Sequence, residues 1–217
     1  MAELPLLFLQ ELKALGFDEQ VAALVAGHAE RHRKQMADLV KGAYEGEVPD
    51  FPICRLHPLG RLAVIVWKLA EIRREYEAYG VWAAVIDDTF SDITLRQRLF
   101  FHNTGKVGLS RADCVWLRHL ANAQIFKLGV LQFQPTNMYY LEYHGNGRLF
   151  FVISDAQKAR LPAGTPVLNV HIQTGANLEP ERVAESFRTA REFFKEVYPE
   201  IGRASCRERV YISVVDG

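Results

Sequence analysis

The spacing of apolar residues changes period near Ile125, and this change restricts the possible fold more than any other feature of the chain. Before it, apolar residues recur at steps of three and four, the period of a helix with one buried face. After it, short β-branched and aromatic segments alternate with polar residues, the period of a strand. A helical first part followed by strands and a last helix, with no internal repeat, predicts an α+β protein with a helical first part and a sheet-bearing second part.

In the helical part, Pro5 reads as a first-turn residue and Gly16 as the C-terminal cap of a short helix. "DEQVAALVAGHAERHRKQMADLVKGAYEG" opens on Asp18 as N-cap, with Val21, Leu24 and Val25 on its apolar face and a break expected near Gly27. "EGEVPDFPICRLHP" carries three prolines and reads as a loop. Pro58 opens a long helix ended by Gly80, with Ile65, Leu69, Ile72, Tyr76 and Tyr79 as its stripe. "DDTFSDITLRQRLFFHNTG" predicts a helix ending at Gly105. The next has Ser110 as cap and Val115, Leu117 and Leu120 as apolar positions.

In the second part, "HGNGR" is a hairpin signal, because Asn-Gly suits a type I′ turn. "PVLNVHIQTG" places Leu168, Val170 and Ile172 on one face of a strand over 167–172 and Asn169 and His171 on the other. A helix over 180–198 follows, with Pro180 at its first position and Val183, Phe187, Ala190, Phe194 and Val197 as its stripe.

The last residues, "EIGRASCRERVYISVVDG", lose all periodicity. Reverse-translated, they can be written as a short-read sequencing adapter over more than a dozen codons, with Tyr211 one base from a stop codon; a native basic tail is the other reading. They are set aside from fold reasoning. The expected organisation is therefore 1–123 helical, 124–199 a partial α/β domain, and 200–217 an adapter-derived tail on a truncated protein.

Charge and cysteine content exclude several classes. Lys plus Arg and Asp plus Glu are 26 each, so no electrostatic case exists for nucleic acid or an anionic membrane. Apart from Cys206 in the tail, the cysteines are Cys54 and Cys114, far apart and without CxxC spacing. That pattern speaks against a zinc site or disulfide scaffold and fits a reducing cytoplasm. No GxSxG, HExxH, P-loop or GxGxxG motif is present. Asp87, Asp88 and Asp92 could suggest a metal, but helix-start carboxylates explain Asp88 and Asp92 better, and no metal is expected. Trp116 reads as core, and Arg118 and His119 as surface.

"WLRHLANAQIFKLGVLQFQP" and "VLNVHIQTGANLEPERVAESFRTAREFFKEVYPE" resemble a family of bacterial acyltransferase-domain proteins. These join a helical N-acyltransferase N-terminal domain to a GNAT-like C-terminal domain. The most specific parts are Leu128-Gly129 with Leu131-Gln132-Phe133, the strand around Val170-His171-Ile172, and Phe193-Phe194. The resemblance implies a partial GNAT-like mixed sheet with a helix, and acyl transfer from acetyl-CoA or another acyl-CoA to an amine acceptor. The alternative is a catalytically inactive GNAT-derived module that binds a small molecule. Oligomeric state is left open.

In GNAT enzymes the strand-to-helix junction cradles the pyrophosphate of acyl-CoA. Unpaired N–H groups of the helix's first turn and the helix dipole attract an anion there. This chain offers Gln173-Thr174-Gly175-Ala176-Asn177 at that place, its glycine one residue earlier than the usual pattern; a plain connection that needs glycine's freedom is the other reading. His171 is the candidate base for an attacking amine, against a solvent-facing or hydrogen-bonded strand histidine. Asn169, Gln132 and Gln134 are candidate substrate-binding residues, against a solvated sheet face. With the sheet cut short, the 167–172 strand is expected to show either an open edge or one patched by the tail's own "VYISVV".

Overall fold

The computed structural model describes residues 4–139, 155–160, 162–198 and 211–212. The chain divides into two compact units, Met1–Lys127 and Leu128–Gly217.

The first unit is helical: α1 (Leu6–Ala14), α2 (Glu19–Arg31), α3 (Arg33–Lys41), α4 (Pro58–Ala78), α5 (Ala83–Thr104) and α6 (Arg111–Ala121). α4 is the central element and contacts the other five. Its N-terminal part, "PLGRLAVIVWKLAEI", is apolar on nearly every side, the composition of a helix surrounded by others. Leu62, Ala63, Val64 and Val66 are buried along with Ile65, Leu69, Ile72 and Tyr76, whereas Tyr79 is 56% exposed. The single stripe read from sequence was therefore too narrow at the start of α4 and one turn too long at its end.

Local signals set the helix ends. Asp18 Oδ1 accepts the Val21 N–H at 2.8 Å. Ser110 and Asp113 form a reciprocal capping box at the head of α6. Gly105 closes α5 with φ +67°. Pro5 occupies the N-cap position of α1, one residue outside the helix.

The break between α2 and α3 falls at His32 (φ −109°), not at Gly27, which stays inside α2. Glycine costs a helix only about 1 kcal/mol, less than the burial of Val25, His28 and Ala29 on either side of it stabilises. Leu24 is exposed, so the buried face of α2 runs through Val21, Val25 and His28. In the proline-rich loop, Pro52–Arg55 forms a 3-10 turn that buries Ile53 and Cys54.

α5 begins at Ala83, well before the aspartates. None of them lies in its first turn, so the helix-start reading of Asp88 and Asp92 does not hold. Asp92 is buried and accepts from Arg96 Nε at 3.0 Å and Trp116 Nε1 at 2.9 Å. Asp87 accepts from Arg73 Nη2 at 2.9 Å, and the same guanidinium is held by both oxygens of Glu11. Trp116, Arg118 and His119 are all half-buried on α6.

The boundary between the units falls within β1 (Phe126–Leu128). The sheet continues with β2 (Leu131–Asn137), β3 (Pro166–Ile172) and β4 (Tyr211–Ile212) in the order β1-β2-β3-β4. α7 (Asp155–Arg160) and α8 (Pro180–Val197) complete the second unit. β2 and β3 are antiparallel, with Gln132 opposite His171 and Gln134 opposite Asn169. β3 and β4 are parallel, Asn169 beside Tyr211 and Val170 beside Ile212. Of the two expectations for the β3 edge, the patched one is therefore found, over these two residue pairs. The "HGNGR" hairpin lies outside the described residues, as does most of the adapter-like tail.

α8 packs on the apolar face of β2 through Phe133, whose ring lies 5.7 Å from Phe187 and 6.3 Å from Phe194. Its fully buried positions are Ser186, Ala190, Phe193 and Phe194; Val183, Phe187 and Val197 flank them half-buried. The true stripe is thus rotated from the expected one, because Ser186 and Phe193 belong to it.

Candidate functional site

Four residues singled out from sequence meet on one face of the β2–β3 pair. Directly opposed residues in an antiparallel pair share a face, so Gln132, His171, Gln134 and Asn169 form a polar quartet opposite the face that carries Phe133 and Val170. This face is not solvated: Gln132 is 1% exposed and His171 6%, while Gln134 and Asn169 are half-buried. The expectation of an outward-facing polar face is corrected on this point. Both faces of β3 are covered, so alternation of polarity does not mark exposure here.

His171 Nε2 lies 2.9 Å from Gln134 Oε1. A carboxamide oxygen can only accept, so Nε2 carries the proton and Nδ1 is the basic nitrogen. The contact is diagonal, from His171 to the partner of its second neighbour, a distance that long side chains bridge. Burial lowers the His171 pKa to about 4, because a desolvated imidazole resists charging. The ring is therefore neutral at neutral pH. The buried Gln132 Nε2 has no hydrogen-bond partner among the described residues. An unpaired buried amide donor costs free energy unless a ligand or water supplies an acceptor.

The Gln173–Asn177 segment leaves β3 at the end that pairs with Leu131. Its backbone turns on Gly175 (φ +78°), and the Ala176 N–H donates to the Gln173 carbonyl at 3.0 Å. Asn177 Oδ1 accepts the Glu179 N–H at 3.1 Å. The turn thus uses part of its donor capacity internally. α8 itself starts without a side-chain cap, at Pro180, between Glu179 and Glu181. Thr174, Gly175 and Asn177 are exposed.

Sequence reasoning missed the residue that fastens this region, Ser186. Its Oγ accepts the Val130 N–H at 2.9 Å and donates to the Arg182 carbonyl at 3.0 Å. Gly129 (φ +69°) sits against it: a side chain there would begin 2.5 Å from Ser186 Oγ. The available signal was a pair of small residues, Ser186 and Ala190, one turn apart on an otherwise aromatic stripe.

Among the described residues, no three His, Cys, Asp or Glu side chains stand together as metal ligands, and no helix is long and apolar enough to cross a membrane. Cys54 and Cys114 are buried free thiols, and burial raises the pKa of both, Cys114 to about 12.

Residues 7–122 match the N-acyltransferase N-terminal domain family, and residues 125–210 match the GNAT-like C-terminal domain. The second match overlaps the first part of the adapter-like stretch. No curated protein matches the chain. One similar solved structure is an acyltransferase in complex with decanoyl-CoA and teicoplanin, at 18% identity and TM-score 0.61. Another is an acyltransferase in complex with decanoyl-CoA, at 21% identity and TM-score 0.60. Each comparison covers 89% of this chain and 58% of the other, so the chain spans less than two thirds of those proteins. The likeness is one of fold.

Proposed function

The chain belongs to the family of the N-acyltransferase N-terminal domain, and from that membership we propose that it is part of a GNAT-like N-acyltransferase that moves an acyl group from acyl-CoA to an amine on a small-molecule acceptor. The observation that carries this reading is the tandem of the two domain matches, over 7–122 and 125–210. The ligands of the similar structures, decanoyl-CoA and in one case teicoplanin, suggest a medium-chain acyl donor and a bulky acceptor.

In this reading the amine nitrogen attacks the thioester carbonyl, the C–N bond forms, the C–S bond breaks, and the thiolate leaves. His171 takes the proton the amine loses. Burial keeps its imidazole in the base form above about pH 4, though a base of low proton affinity suits a late transfer from an already acidic ammonium better than early abstraction. Gln132, Gln134 and Asn169 line the acceptor side, with Gln132 Nε2 as a donor to a substrate carbonyl. Gln173–Asn177 faces the cosubstrate's phosphates.

A second reading, a catalytically inactive GNAT-derived binding module, is favoured by the internally bonded turn at Gln173–Ala176 and by the two glutamates at the start of α8. Titration calorimetry with decanoyl-CoA, followed by thiol release in the presence of primary amines, separates the two. Binding with amine-dependent thiol release supports the enzyme, provided His171→Gln abolishes release and spares binding. Binding without release supports the module. Absence of binding removes both readings from this chain.

A further inference from the structure

Three imidazoles meet in the helical unit, away from the polar face of the sheet. His28, in the last turn of α2, is buried. Its ring lies 4.4 Å from that of His32, at the elbow between α2 and α3, and 4.8 Å from that of His57, the N-cap of α4. His57 Nδ1 accepts the Gly60 N–H at 3.4 Å, a role open only to an unprotonated nitrogen. Gly60 lies against both rings: a Cβ there would stand 3.4 Å from His57 Nε2 and 3.5 Å from His28 Nε2, ordinary van der Waals contact.

The surroundings oppose positive charge. The charged and titratable groups acting on His28 are Arg31 of its own helix, His32 at the elbow and His57 on α4; no carboxylate is among them. The head of α4 adds the positive end of a helix dipole. Burial first, then His32, His57 and Arg31, lower the His28 pKa to about 4.

We propose that this triad is a pH-sensitive latch between α2 and α4: with the His28 ring packed 4.4 Å from His32 and 4.8 Å from His57, charge on the buried His28 imidazole is accommodated on acidification only by parting the rings, which opens the helical unit at that seam. The unfolded or opened chain takes up a proton near pH 6.5, and the closed seam resists one until about pH 4. Opening is therefore promoted as pH falls through that window and suppressed above it.

Hydrogen–deuterium exchange of the whole chain, resolved to peptides covering 28–34 and 58–66 and corrected for the intrinsic pH dependence of exchange, tests the latch. Between pH 7.5 and pH 5, protection in both segments should fall about tenfold or more. His57→Asn keeps a capping oxygen but removes the ring that faces His28, and His28→Gln removes the buried imidazole. Each should shrink the fall, and the pair should abolish it. His171→Gln, in the other unit, should leave it intact. Constant protection in the unsubstituted chain overturns the proposal, as does an undiminished fall in both single variants.

Discussion

At the scale of single residues, Ala123 carries the clearest local misfit. α6 ends with two bonds, from the Gln124 N–H to the His119 carbonyl and from the Ala123 N–H to the Leu120 carbonyl. This ending places Ala123 in the left-handed region at φ +49°, where glycine is the usual occupant. An L-residue there costs about 1–2 kcal/mol, so Ala123→Gly should raise stability by about 1 kcal/mol, read as a higher denaturation midpoint at unchanged slope. His171 makes a prediction of opposite character. Its native pKa of about 4 lies below the ordinary 6.5, so between those values the unfolded chain binds more protons. Stability is then full above pH 6.5 and is lost as pH falls toward 4, by up to about 3 kcal/mol. His171→Gln should flatten that loss in hydrogen exchange across β3; an unchanged pH profile would mean the ring is already solvated. Of the candidate residues, the pairing of Gln132 with Gln134 and of Asn169 with His171 on one face of each strand was legible from alternation; the union of the two pairs needed the register. Their burial was not legible, because alternation fixes which residues stand together and leaves open what covers them.

At the scale of elements, the β1–β2 turn and α8 are joined by one interlock. Gly129 permits the turn and the close approach; Ser186 supplies the acceptor for Val130 N–H. Gly129→Ala should destabilise by about 1–3 kcal/mol, from positive φ together with the collision. Ser186→Ala removes the oxygen at 2.5 Å, so Gly129→Ala should cost less in that background than alone. A double-mutant cycle measures the difference; strictly additive effects would show that the collision relaxes freely. Boundaries with their own cap residue were well marked in the sequence, the starts of α2 and α6 by Asp18 and Ser110 and the ends of α4 and α5 by Gly80 and Gly105, which act through their own side chains or φ angles. The start of α5 and the buried stripes were less so. Nothing local distinguishes Ala83 from Asp87 as the first residue of α5, and the α2–α3 break at His32 follows from what α4 needs to contact.

At the scale of the whole molecule, each unit is a compact body with its own core. In the first, the core gathers around α4, and its last residues are tied in by the Tyr76 hydroxyl donating to the Ile125 carbonyl at 2.8 Å and by the Lys127 N–H donating to Thr89 Oγ1 at 2.9 Å. A fragment of residues 1–127 should therefore fold alone, with a helical circular-dichroism spectrum and a cooperative melt; a broad, non-cooperative melt would show that its core is incomplete. The sequence by itself determined the change of period near Ile125, the helix caps, and the pairing of Gln132 with Gln134 and of Asn169 with His171 on one face of their own strands, because each is written in residues close together or in strict alternation; that the two pairs share a face was decided by the β2–β3 register. Only the tertiary structure decided that α4 is enclosed on most sides, that the polar quartet is buried, that Ser186 locks the Gly129 turn, and that His28, His32 and His57 meet. Those outcomes depend on contacts between residues far apart in the chain, and the energy of burial and of like charges brought together exists only once the chain has packed.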